Sequence, residues 1–173
     1  GLTGGRWRGT FKVKPLTRTQ AQSWIVFLLK LKGQAGRFFA HDPSNSLPQG
    51  TVAGSNPIVN GVNQVGASIK TSGWAASTSS VLKQGDAIAF DTATNWRERH
   101  IVAEDVDSDS SGNAVIRLTH SMRETPLNGE QIITTRASCI MKLIDDDQAM
   151  WSVDNAIIFG IEFSGEEATR KSG

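Results

Sequence analysis

The segment from Arg6 to Pro43, RWRGTFKVKPLTRTQAQSWIVFLLKLKGQAGRFFAHDP, constrains the fold more than any other part of the chain. Trp7, Phe11 and Val13 alternate with Arg8, Thr10, Lys12 and Lys14, the period-two pattern of a half-buried strand. Gly9 takes one inward position and predicts a bulge or a close backbone approach. Pro15 lacks a ladder donor and ends the strand. Thr17 stands three residues before Gln20, a capping-box pattern that opens a helix over about residues 17–32. Ala21, Trp24, Ile25, Leu28 and Leu31 share one face of that helix, with Phe27 and Leu29 widening it. Arg18, Gln22, Lys30 and Lys32 fall on the wet side, and Gly33 is expected to supply the left-handed stop. Burying four or five of the large apolar side chains contributes on the order of 8–12 kcal/mol before the opposing entropy is subtracted.

Beyond this segment the pattern is mainly β. Residues 42–61 are rich in Gly, Pro, Ser and Asn, and Pro43, Pro48 and Pro57 argue against a helix or a central strand there. Short strands are expected at 66–70, 87–90, 100–106 and 114–119, then at 131–135, 138–144 and 155–164. In the last of these Ile157, Phe159, Ile161 and Phe163 alternate without a break. Asp107 to Asn113 and Asn128-Gly129 carry turn chemistry, and 166–173 reads as a polar tail that frays unless a partner orders it. At 173 residues the chain is long enough for one large domain or two small ones.

Composition and motifs argue against most chemistry. The formal net charge is +1, which makes no electrostatic case for nucleic acid or an anionic membrane, and no apolar run reaches the 18 residues of a membrane helix. Cys139 is the single cysteine and sits in an apolar run, as a buried small hydrophobe would. Asp105, Asp107 and Asp109 match the start of a calcium loop, but Ser110 and Ile116 replace the glycine and the bidentate glutamate that such a loop needs. Asp145, Asp146 and Asp147 form a second acidic run without a histidine or further carboxylate at ligand spacing. His41, His100 and His120 lack zinc spacing, and no nucleophile elbow, dinucleotide fingerprint or phosphate loop is present. No catalytic residue, cofactor site or metal site is therefore expected. Trp74 and Trp96 lie in Gly/Ser/Thr/Asn-rich surroundings; core or interface packing is expected for each, and an exposed ring that stacks on sugar is the alternative.

Several segments follow one another along the chain in a distinctive order. They are Trp7 in the first strand, W-x-x-F-L-x-x-L-x-G from Trp24 to Gly33, and Phe38-Phe39-Ala40-His41-Asp42-Pro43. Val59-Asn60-Gly61 with Gln64 and Gly66, Leu82-Lys83-Gln84-Gly85-Asp86 and Ser111-Gly112-Asn113-Ala114 follow, and Met122-Arg123 with Asn128-Gly129-Glu130 closes the series. In this order and spacing the chain resembles the distal tail proteins of long-tailed, siphovirus-type bacteriophages and prophages; residues preceding Gly1 are expected on that pattern. The resemblance implies a structural virion protein, neither an enzyme nor a cofactor carrier. It implies a ring, commonly of six copies, at the tail tip, which joins the tail tube protein to the hub or baseplate after assembly in the host cytoplasm. It further implies a tail-tube-like β-sandwich with the flanking helix, from residues 1–43 and 121–173. A small all-β domain with a Gly/Pro/Ser-rich entry loop would be inserted at 44–120. Strand edges at 6–14 and 155–164 are then the candidates for β-augmentation between copies. Trp7, Thr10, Lys12 and Glu162 are the candidate contacts there, and Arg97, Arg99 and Arg123 are candidates to meet Asp145, Asp146 and Asp147. Another tail-tube or adaptor protein, or a carbohydrate-binding module, is the alternative.

Overall fold

In the computed structural model, residues 6–15, 17–145 and 160–169 are described. They form a mainly β protein with one α-helix and several sheets. The chain divides into two compact units, one of Ala40–Cys139 and one of Gly5–Phe39 with Ile140–Gly173.

The second unit is organised by its ends. Strand β1 (Arg8–Val13) pairs antiparallel with β9 (Ile161–Glu167), so residues about 150 positions apart become neighbours. With β8 (Cys139–Leu143) and β2 (Phe38–Ala40) they make a four-stranded sheet in the order β1-β9-β8-β2. Helix α1 (Arg18–Lys30) follows β1 after the Pro15 break, and both halves of the Thr17–Gln20 capping box are formed. Ala21, Leu28 and Leu31 are buried with Leu143, Ile161 and Phe163, and Phe11, Trp24, Ile25, Phe27 and Phe38 pack against them. The rings of Phe11 and Phe163, register partners on β1 and β9, stack at 5.0 Å. Gly9 faces Gly165 in the same ladder, an opposed glycine pair with no register shift.

Three expectations change here. Leu29 is 57% exposed rather than part of the buried face, because the core lies on the Ala21/Leu28 side and nothing among the described residues covers the opposite one. The left-handed turn that ends the helix starts one residue early, at Lys32 (φ 48°), before Gly33 (φ 65°). Glu166 and Glu167 are strand residues rather than a fraying tail, and the Ala168 N–H donates to the Ile140 carbonyl at 2.9 Å.

The first unit is all β apart from a 3-10 turn at Pro43–Asn45. Strands β3 (Gly54–Val59), β4 (Ser68–Trp74) and β7 (Ala114–Arg117) form one antiparallel sheet, and β5 (Ala87–Asp91) and β6 (Arg97–Ile101) a hairpin. Val59, Ile69, Trp74, Val81, Leu82, Ile88, Phe90, Val102, Ile116, Leu118, Met122 and Ile132 share one core. Residues 121–138, expected in the sandwich domain with 1–43, therefore fall within this unit: Met122 and Ile132 fill its core, and Ile133 bridges to Ala89. A strand inside the Pro-rich excursion was also unexpected. β3 accommodates Pro57 where its register breaks between Gly54 and Ile58; on the side away from β4 the Pro57 carbonyl accepts from the Ile132 N–H at 2.9 Å and Ile58 bridges to Gln131. Gly73 (φ 86°) on β4 lies against the Asn56 carbonyl, where a Cβ has no room. The strands expected at 100–106 and 131–135 are shorter than the pattern suggests: β6 ends at Ile101, and 131–135 contributes only bridges at Gln131 and Ile133. In the strand expected at 155–164, residues 155–159 lie outside the described residues.

Candidate assembly surface

The alternation that predicts β1 also sorts its side chains. Phe11 and Val13 point to the core side, whereas Arg8, Thr10 and Lys12 are exposed. Across the ladder those three face Glu166, Ser164 and Glu162 on β9. The Arg8 guanidinium lies 3.3 Å from Glu166, the Thr10 and Ser164 hydroxyls are 3.1 Å apart, and Lys12 lies 3.8 Å from Glu162. Lys142 of β8 reaches the same Glu166 at 3.5 Å. The outer face of the sheet is thus a polar stripe with matched charges.

The backbone of β1 has a definite outer side. The Glu167 N–H donates to the Trp7 carbonyl at 2.7 Å, so Trp7 and Glu167 are a hydrogen-bonded pair of the ladder. Because antiparallel pairs alternate, Gly9, Phe11 and Val13 also point their peptide groups at β9, while those of Arg8, Thr10 and Lys12 point away. Among the described residues no strand lies beyond β1. The other proposed edge is different: β9 sits between β1 and β8, so its described part, Ile161–Glu167, is an interior strand.

The remaining candidates separate. Trp7 is half-buried, and its N–H donates to the buried Glu167 carboxylate at 3.1 Å. Arg97 makes a two-pronged pair with Asp91 across the β5–β6 hairpin, at 2.8 and 3.1 Å. Arg99 is 5% exposed and donates to the Ala137 carbonyl at 3.0 Å, so it is an internal brace and not a surface contact. Asp145 is exposed just beyond β8, and Asp146 and Asp147 lie outside the described residues.

Each carboxylate of the Asp105-x-Asp107-x-Asp109 run holds a different piece of backbone. Asp105 accepts from the Gln84 N–H, Asp107 from the Ser80 N–H, and Asp109 from the Ser111 and Asn113 N–H groups. The Asn113 and Ser111 amides hold the Asp109 carboxyl below the usual carboxylate range. At Asp42 the Ser44 hydroxyl, then the Ser44 N–H, does the same. Among the described residues no three His, Cys, Asp or Glu side chains gather into a metal-capable group, and no helix is long and apolar enough to cross a membrane.

One cluster was invisible to spacing rules. Glu98 and His100 alternate on β6 and both point into the core, with Glu98 Oε2 2.7 Å from His100 Nε2. Glu98 also accepts from the backbone N–H groups of Arg123 and Glu124. The His100 ring stacks on Phe90 at 5.5 Å and meets the tilted His120 ring at 4.5 Å. The pair is sealed from solvent, so it clamps the 121–124 turn to the hairpin and offers no surface for a substrate. The only sequence signal for it was charge on a strand otherwise suited to burial. Trp74 is buried with its indole N–H donated to Thr71, and Trp96 is half-buried, so Trp74 presents no ring to solvent for stacking on sugar.

Comparison with protein-family models finds no matching family, and comparison with curated proteins finds no match.

Proposed function

We propose that this chain is a structural virion protein, a distal tail ring component that joins a phage tail tube to the tail-tip hub or baseplate. The reading rests on the resemblance in segment order and spacing. The observation that carries it is the outer edge of β1, where the peptide groups of Arg8, Thr10 and Lys12 face away from β9 beside a sheet face whose charges are already matched. Such an edge adds a strand from a neighbour through main-chain hydrogen bonds. In this reading the β1-β9-β8-β2 sheet with α1 is the tube-facing, sandwich-type domain, and Ala40–Cys139 is the inserted one. Copies of the chain are its first partner, in a ring commonly of six, and the tube protein and the hub protein are the next. A heterologous contact between two different faces of one chain closes into a ring when the rotation permits.

The test is direct. Purified chain is sedimented over a concentration series and imaged by negative-stain electron microscopy, with and without tube protein. Annular particles, or capture by tube ends, are expected. A chain that stays solitary at high concentration and ignores tube ends overturns the reading.

A further inference from the structure

We propose that the outer face of α1 docks against the acidic 105–109 loop of a second copy of this chain; the proposal rests on the ring reading above and names a second contact within it. Thr19, Gln22, Ser23, Val26, Phe27 and Lys30 line a shallow groove along the side of α1. Val26 is 46% exposed and Leu29 57%, an apolar strip left uncovered among the described residues. The charge of the segment that carries this strip is one-sided. From Gly1 to His41 the chain carries Arg6, Arg8, Lys12, Lys14, Arg18, Lys30, Lys32 and Arg37 and no acidic residue. Arg8 and Lys12 are answered by Glu166 and Glu162 on β9, but Lys30 and Lys32 are exposed and make no ion pair among the described residues. The helix end thus presents an aliphatic strip with two cations beside it.

The same chain carries the opposite pattern in its other unit. Asp105, Asp107 and Asp109 are all exposed on one loop, and Val115 on β7 is 47% exposed. Asp107, Asp109, Asn60, Asn113 and Val115 line an open groove whose single base is Lys70. Each aspartate gives oxygen to a backbone N–H of its own surroundings, so the three negative charges are held in place before a partner arrives. An aliphatic strip flanked by lysines fits an aliphatic residue flanked by fixed aspartates in both charge and apolarity. The two surfaces are different, so the contact is heterologous, as a ring requires.

Two chains, Val26→Cys and Val115→Cys, are mixed and oxidised. Cys139 is buried and does not compete. A disulfide joining the two different chains is expected, and its formation should slow several-fold as salt rises from about 0.05 to about 1 M. Lys30→Glu with Lys32→Glu, checked for intact helix by circular dichroism, should weaken self-association about tenfold. Three results overturn the proposal: absence of the mixed disulfide, closure of the bridge within one chain carrying both cysteines, and lysine-dependent binding to phosphatidylserine vesicles with self-association unchanged. Rings that form without the 26–115 bridge overturn this contact and leave the ring reading standing, whereas a chain that never self-associates overturns both.

Discussion

Glu98 is 3% exposed and holds three donors, His100 Nε2 and the N–H groups of Arg123 and Glu124. Truncation strands the buried His100 nitrogen and the two part-buried N–H groups of the 121–124 turn. Because an unsatisfied buried polar group costs about 1–3 kcal/mol, Glu98→Ala should destabilise by about 3 kcal/mol or more in urea denaturation. A loss below about 1 kcal/mol would mean that the clamp is not formed. Gly73→Ala should also be severe, because φ is 86° and the Asn56 carbonyl blocks the new Cβ. Asp109 sets a pH dependence. Its folded carboxyl titrates below the unfolded value of 3.8, so the folded state binds fewer protons there. Its contribution is present above that value and is lost as pH falls through the lower, folded one. Asp109→Asn should therefore differ most from the parent near neutrality and converge with it at strongly acid pH, in thermal melts across that range. The calcium-like spacing of this run was legible in the sequence, but its role was not, since the amides it holds include Gln84 and Ser80, far away along the chain.

Helix α1 is held locally at one end and by packing along one side. Thr17→Ala removes the cap accepted from Gln20 N–H, and loss of about 1 kcal/mol is expected from denaturant midpoints. Strand β1 allows a sharper test, because its residues alternate in where their N–H groups point. Thr10→Pro deletes an outward N–H, so the monomer should keep its fold while ring assembly fails. Phe11→Pro deletes an inward one and should break the β1–β9 ladder and the aromatic core together. Intact rings from Thr10→Pro would remove this edge from the assembly. The period-two and helical patterns made β1 and α1 readable in advance. The edge status of β1 was not readable, because a strand's neighbours come from elsewhere in the chain.

Each unit draws its core from its own residues: Val59 to Ile132 in one, Phe11 to Leu31 with Leu143 to Phe163 in the other. A fragment spanning residues 40–139 should therefore fold alone, with a cooperative urea transition and dispersed amide resonances. A fragment without cooperative unfolding would contradict the division. The sequence by itself determined what depends on short range: the first strand, the capped helix, the aromatic side of the second unit, the turns and the mainly β character. Alternation, capping and turn chemistry act within a few residues, so they can be read along the chain. Tertiary structure alone decided that β9 is interior, that 121–138 belongs to the first unit, that Pro57 sits in a strand, and that Leu29 stays exposed. It also brought Glu98, His100 and His120 together. Each of these depends on which distant segment arrives alongside, and pairing between remote strands is settled by the packing of the whole core rather than by any local pattern.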